Sequence, residues 1–183
     1  SGSEEAELIL GTFMLLGLDR GNPFAVIDVG GGSTEVNVFK GGKKVASKSF
    51  KVGTIRFLKG KMKKNIWSDI TEWISASIDP NEDYLIFGTG GNINKIHKLL
   101  GLNSEDPVDL NEMSKLHEIM RVLTPEDRVK QFQLRPDRAD VIVPALDIYI
   151  RILNNFKASS IFVPRIGLSD GMIYQMYLEE NLD

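Results

Sequence analysis

The chain has no cysteine among its 183 residues. Disulfide scaffolds, thiolate zinc or iron–sulfur ligation and a thiol nucleophile are thereby excluded. Histidine is nearly as scarce. His97 and His117 stand alone, with no second ligand at metal spacing, and both read as structural or surface residues. Long hydrophobic runs are missing too: the apolar stretch from Leu8 to Leu18 is well short of the ~20 residues a spanning helix needs. No basic segment precedes it as in a secretory signal, so the expectation is a cytoplasmic protein with neither membrane nor export indicated.

Acidic residues are absent from one long stretch. Between Val36 and Ser68 there are nine lysines and Arg56 but no Asp or Glu, so the net charge of −3 is a block of +10 set against −13 elsewhere. Such a run is more often a solvated face than a site. Beside a cleft, however, it would attract a polyanion and make its binding strongly salt-dependent. The remaining composition, 42% hydrophobic and 26% charged, suits about one soluble domain with a sizeable core.

Along the chain, Glu4 to Leu16 reads as a helix, rich in Ala, Leu and Glu and ended by Gly17 and the loop Asp19-Arg20-Gly21-Asn22-Pro23. Three strands follow: Phe24 to Asp28, Glu35 to Phe39 and Val45 to Val52. The Lys40-Gly41-Gly42-Lys43 turn joins the last two. A helix over Ile66 to Ile78 leads to a fourth strand, Tyr84 to Phe87, and then a helix to about Leu100. Gly101 to Asp109 reads as a polar connector. Helices are expected over Asn111 to Leu123 and Pro125 to Gln133, the latter with Thr124 as N-cap and Pro125 at its first position. A single long helix from Asp137 to Asn155, a fifth strand Ser160 to Val163 and a closing helix Leu168 to Glu180 complete one compact unit.

Two glycine loops carry the chemistry. Asp28-Val29-Gly30-Gly31-Gly32-Ser33-Thr34 joins two strands, which excludes both the Walker loop and the dinucleotide fingerprint, each of which opens a helix. What remains is a row of backbone amides able to wrap a phosphate, beside a carboxylate able to hold a divalent ion. A plain glycine turn would leave Asp28 at a strand end without a cation or donor, so phosphate plus metal is favoured. Gly88-Thr89-Gly90-Gly91 opens a helix, where free amides favour an anion; tight strand-to-helix packing is its alternative. Glu4 and Glu5 precede the apolar helix, and either could be a general base or ordinary helix-end charge.

In order along nearly the whole chain, these strings resemble the exopolyphosphatases and guanosine pentaphosphate phosphohydrolases of the Ppx/GppA family, within the actin-like ATPase superfamily. The resemblance is carried by Ser1-Gly2-Ser3-Glu4-Glu5-Ala6, by Asp28-Val29-Gly30-Gly31-Gly32-Ser33-Thr34-Glu35 and by Val52-Gly53-Thr54-Ile55-Arg56. Gly88-Thr89-Gly90-Gly91, Arg138-Ala139-Asp140 and Gly167-Leu168-Ser169-Asp170-Gly171 complete it, with Leu168-Ser169-Asp170 standing where many members have Leu-Arg-Glu.

The resemblance implies an α/β, ribonuclease H-like lobe: a five-stranded mixed sheet of order 3-2-1-4-5 with helices on both faces. It makes residues 1–23 a leading helix and connector to a first lobe, and residues 24–183 the second lobe of a two-lobed phosphatase. It implies hydrolysis of the terminal phosphoanhydride of polyphosphate or guanosine pentaphosphate. Glu5 would orient and deprotonate water. Asp28 and Glu35 would hold Mg²⁺ or another divalent cation, and the amides of Gly30, Gly31, Gly32 and Ser33 would cradle phosphate. Gly88, Gly90 and Gly91 would line the cleft, with Arg56 as a phosphate contact. The partners are the substrate, the first lobe and, as an assembly to test, a second copy; DNA and membrane are not indicated. Two other readings stay open: a non-catalytic polyphosphate or alarmone sensor, and part of an actin-like sugar or acid kinase.

Overall fold

A computed structural model of the protein describes residues 22–164. The helices expected at the two ends, and with them Glu4, Glu5 and the segment around Ser169, lie outside the described residues.

Strand β1 (Phe24–Val29) runs at the centre of the sheet. Apart from the exposed Asp28, its side chains are apolar on both faces because both are buried: Ala25, Ile27 and Val29 enter the main core, while Phe24 and Val26 enter a second cluster on the other face. β2 (Thr34–Lys40) pairs antiparallel with β1, and β3 (Lys43–Phe50) pairs antiparallel with β2. Gly41 and Gly42, with φ of 57° and 69°, form the two-residue turn between β2 and β3. This turn demands left-handed backbone at both positions, which glycine supplies without strain. β3 forms the sheet edge, where lysines discourage pairing with another chain.

Beyond β3 come α1 (Thr54–Leu58) and α2 (Ile66–Ser77). Ile66, Ile70 and Ile74 of α2 are buried at helical spacing. β4 (Leu85–Thr89) then lies parallel to β1, so the sheet is mixed and ordered β3-β2-β1-β4. α3 (Gly91–Leu99), β5 (Val108–Asp109), α4 (Leu110–Val122), α5 (Pro125–Phe132), α6 (Pro136–Ala139), α7 (Ile142–Phe156) and β6 (Ser160–Ile161) complete the described chain. α2, α4 and α7 contribute to the main core on the face of Ala25, Ile27 and Val29. Truncating one of its fully buried isoleucines to Ala costs about 2–5 kcal/mol. On the opposite face Phe24 stacks on Phe39 at 4.6 Å and meets Phe87 edge-on at 5.8 Å. No helix among the described residues is long and apolar enough to cross a membrane.

The first four strands keep the expected order, but the strand count is corrected. The main sheet has four strands, and β5 and β6 form a separate two-stranded ladder. The expected fifth strand touches β4 through one parallel bridge, Phe87 to Phe162, with Gly88 N–H donating to the Phe162 carbonyl at 2.8 Å. β6 pairs instead with β5, in a segment read as a polar connector because a two-residue strand shows no period. The long helix expected from Asp137 is two, α6 and α7. Pro144 explains the break: it has no N–H to donate to the carbonyl four residues back, and its ring crowds that carbonyl. α1, five residues long, is too short for a periodic signal and was not anticipated.

Candidate functional site

The loop from Gly30 to Ser33 is held by its carbonyls. Thr54 N–H donates to Gly30 O at 3.0 Å, while Ile55 and Arg56 N–H donate to Gly31 O at 2.9 and 3.1 Å. Arg56 Nε donates to Gly32 O at 2.9 Å. In a planar trans peptide the C=O of one residue and the N–H of the next point in opposite directions. With three carbonyls turned toward α1, the N–H groups of Gly31, Gly32 and Ser33 are turned away from it, and none donates to a protein acceptor among the described residues. Gly30 differs, since its N–H closes the turn onto Ser33 O at 2.9 Å. Three undonated amides in a row are available to the oxygens of an anion.

Gly53 makes this possible. A Cβ there would lie 2.6 Å from Gly31 C and Ser33 N and 2.7 Å from Gly30 O, all backbone atoms. Thr34, buried next to the loop, donates its hydroxyl to Val52 O at 2.6 Å and ties β2 to the same segment.

Asp28, the penultimate residue of β1, faces Glu35 across the antiparallel ladder and Thr89 across the parallel one. Two directly opposed strand residues point to the same face with Cβ atoms about 5 Å apart. The Asp28 side chain reaches solvent, yet its carboxyl is pushed above the ordinary range, first by the protein packed against it and then by the charge of Glu35. The described residues contain no cluster of three or more His, Asp or Glu able to hold a metal. Mg²⁺, however, commonly takes one or two carboxylates and fills its remaining positions with water and phosphate oxygens. A like-charged pair beside outward amides fits that requirement.

The second loop closes on the first. Gly90, with φ of 88°, passes so near Asp28 that an added Cβ would lie 2.6 Å from Oδ1. Gly91 opens α3, and its α-carbon faces Arg138, with 3.1 Å from an added Cβ to Nη2. Gly88 serves packing instead: its α-carbon abuts Ile93 and Ile161 in the core. Thus Asp28, Glu35, Arg56 and the two glycine loops lie at one end of the sheet. His97 is buried, with Nε2 3.1 Å from Asp106 O, and His117 Nε2 lies 3.3 Å from Asp147 Oδ2. Both are structural, as expected.

Sequence reasoning assigned no role to Gly53, Asn92, Arg138 or Tyr149. Tyr149, fully buried on α7, donates its hydroxyl to Thr89 O at 3.4 Å. Burial, with the Asp28 charge second, holds its ionisation far above the ordinary tyrosine range, so it remains a neutral donor under the loop. Gly53 and Arg138 did lie in strings that carried the family resemblance. Tyr149, inside an apolar helix, gave no signal.

A model of the Ppx/GppA phosphatase family matches residues 1–180. The chain belongs to the Ppx/GppA phosphatase family. Its backbone is similar to a solved Ppx/GppA phosphatase from Aquifex aeolicus, with TM-score 0.75 and 22% identity over 94% of this chain and 63% of that one. An exopolyphosphatase from Cytophaga hutchinsonii gives TM-score 0.69 and 18% identity, covering 97% of this chain and 64% of that one. At these identities the solved structures speak to the fold. The chain spans about two thirds of the length of these Ppx/GppA relatives, 63% and 64%. No curated protein matches it in sequence.

Proposed function

We propose that residues 24–183 form the second lobe of a phosphohydrolase that removes the terminal phosphoryl group of a linear polyanion, with residues 1–23 leading in from a first lobe. The observation that carries this reading is the outward turn of the Gly31, Gly32 and Ser33 amides beside the facing carboxylates Asp28 and Glu35. Family membership supports the reaction class. The acid-free block from Val36 to Ser68 favours inorganic polyphosphate over guanosine pentaphosphate, because a chain with a charge on every unit gains most from a basic flank.

Phosphoryl transfer depends chiefly on positioning and charge stabilisation. The three free amides receive the phosphoryl oxygens, and Gly30 shapes their turn. Glu5 orients the attacking water and takes its proton. Asp28 and Glu35 would hold a divalent cation, which would supply positive charge against the phosphate oxygens. Gly90 and Gly91 form the facing wall over the packed base at Gly88. Arg56, its Nε committed to Gly32 O, keeps its terminal nitrogens for phosphate charge. The isolated chain, holding half of such a cleft, turns over neither substrate at the whole protein's rate. The enzyme works in the cytoplasm, and light scattering tests for a homodimer.

The whole protein, assayed with Mg²⁺ on polyphosphate and on guanosine pentaphosphate, is expected to release phosphate. Glu5→Gln and Asp28→Asn are each expected to lower the rate about 100-fold or more. Unchanged release in both variants would overturn the assignment. Binding in EDTA without turnover would mark a sensor, and ATP turnover dependent on a second acceptor would mark a kinase.

A further inference from the structure

Asn92 sits at the second position of α3 and is 8% exposed. Its Nδ2 donates to Val29 O at 2.6 Å, reaching from the second glycine loop to the strand residue immediately before the first. Its Oδ1 accepts from Arg138 Nη1 at 3.4 Å. The two partners settle the orientation of the amide, because Val29 O can only accept and a guanidinium can only donate.

The first of these contacts lies where the backbone ladder runs out. The parallel β1–β4 ladder ends at Asp28 and Thr89, and at Gly90 the chain turns away. The Asn92 side chain supplies the donor that the next strand residue would have given to Val29 O. Arg138 comes from α6, which is itself anchored: the buried Arg128 donates Nε to Met120 O at 2.8 Å and Nη1 to Ala139 O at 2.9 Å. The Arg138 backbone is therefore fixed, while its side chain remains 41% exposed and has one distant carboxylate, Asp137 at 4.0 Å. The contact from Asn92 orients the guanidinium, and that contact places the cation against Gly91, one residue along from the glycine that touches Asp28.

We infer that Asn92 is a positioning residue that sets the spacing of the two glycine loops and aims Arg138 at a phosphoryl group bound between them. The inference rests on the phosphate-site reading above. Only a primary amide of this length donates on one side and accepts on the other. Alanine removes both contacts. Aspartate keeps Arg138 but sets an oxygen against Val29 O.

The test uses the 183-residue chain and tripolyphosphate with Mg²⁺. Asn92→Ala and Arg138→Gln are each expected to weaken binding about tenfold, the scale of one hydrogen bond to a charged group. In the Arg138→Gln background the further loss from Asn92→Ala should be smaller than in the wild type, because only the contact to Val29 O is left for it to remove. Losses that multiply in the double variant would overturn the inference. In the ligand-free chain, arginine-selective ¹⁵N NMR should show slowed guanidinium rotation at Arg138, lost in Asn92→Ala and kept in Asn92→Asp. Equal rotation in all three would also overturn it. Should the wild-type chain bind no tripolyphosphate, the phosphate reading fails, and the NMR comparison still decides whether Asn92 holds Arg138.

Discussion

The two glycine loops meet at one end of the sheet but are held by different kinds of atom. The Gly30–Ser33 loop is pinned chiefly by backbone amides of α1, with Arg56 Nε and the Ile55 side chain against Gly31 as its side-chain contacts, and Gly53 beside it meets backbone. The Gly88–Gly91 loop is shaped by side chains: Ile93 and Ile161 under Gly88, Asp28 against Gly90 and Arg138 against Gly91. Backbone cannot move aside without unmaking several hydrogen bonds, whereas a side chain can change rotamer. The first loop is therefore a rigid cradle, and the second is an adjustable wall whose setting depends on residues such as Asn92.

The sharpest way to break this contrast is Gly53→Ala. Its Cβ would displace three backbone atoms at 2.6–2.7 Å, with an expected cost of about 3 kcal/mol and loss of tripolyphosphate binding. Chemical denaturation and a binding titration read both effects, and a variant that stays as stable as wild type would show that the cradle is soft. Gly88→Ala, pressing on isoleucine side chains at 2.8–2.9 Å, should cost less, about 1–3 kcal/mol. Gly90→Ala combines a backbone of φ 88° and ψ 174°, a region essentially confined to glycine, with contact to the Asp28 carboxylate and should cost about 1–3 kcal/mol. It should also shift the pH at which Asp28 titrates, read by carboxyl NMR.

Asp28 stands two residues before the first loop and against Gly90 of the second, and it offers a prediction of opposite sign. Its carboxyl is raised in the folded chain, so without a cation the native state holds that proton more tightly than the unfolded state. Stability then declines as pH rises from the ordinary aspartate value through the raised one. Asp28→Asn should leave Tm unchanged or higher above that window while abolishing turnover; a lower Tm would mean that the carboxylate is structural. The smallest effect on stability is expected from charge reversal at Lys59, Lys61, Lys63 and Lys64, all exposed, within about 0.5 kcal/mol. The same quadruple variant should bind polyphosphate more weakly at low salt and with a shallower salt dependence. Unchanged affinity would return this stretch to an ordinary solvated surface.

Much of this site was legible in the residues. Asp28 and the glycines after it sit between two strand-patterned segments, so the loop, its carboxylate and the hairpin connection could all be read before any coordinates. α2, α3, α4 and α5 were likewise visible, because a buried stripe at helical spacing or a Thr-Pro start signals itself locally. What escaped was set by contacts distant in sequence. Asn92 and Val29 are 63 positions apart, and nothing local to Asn92 reveals that its amide completes another strand's ladder. β5 and β6 have two residues each, too few to show a period, and exist because they find one another.

From residue order alone came the α/β class, the order of the first four strands through the family resemblance, and the chemical kind of the site. These follow from periodicity, turn chemistry and a string of glycines next to a carboxylate, all of which act over a few neighbouring residues. Tertiary structure alone decided which amides are available. Gly30 is spent on its own turn, while Gly31, Gly32 and Ser33 are turned outward because a short helix more than twenty residues later takes the loop's carbonyls. A peptide plane has two ends, and only the fold determines which end the protein uses.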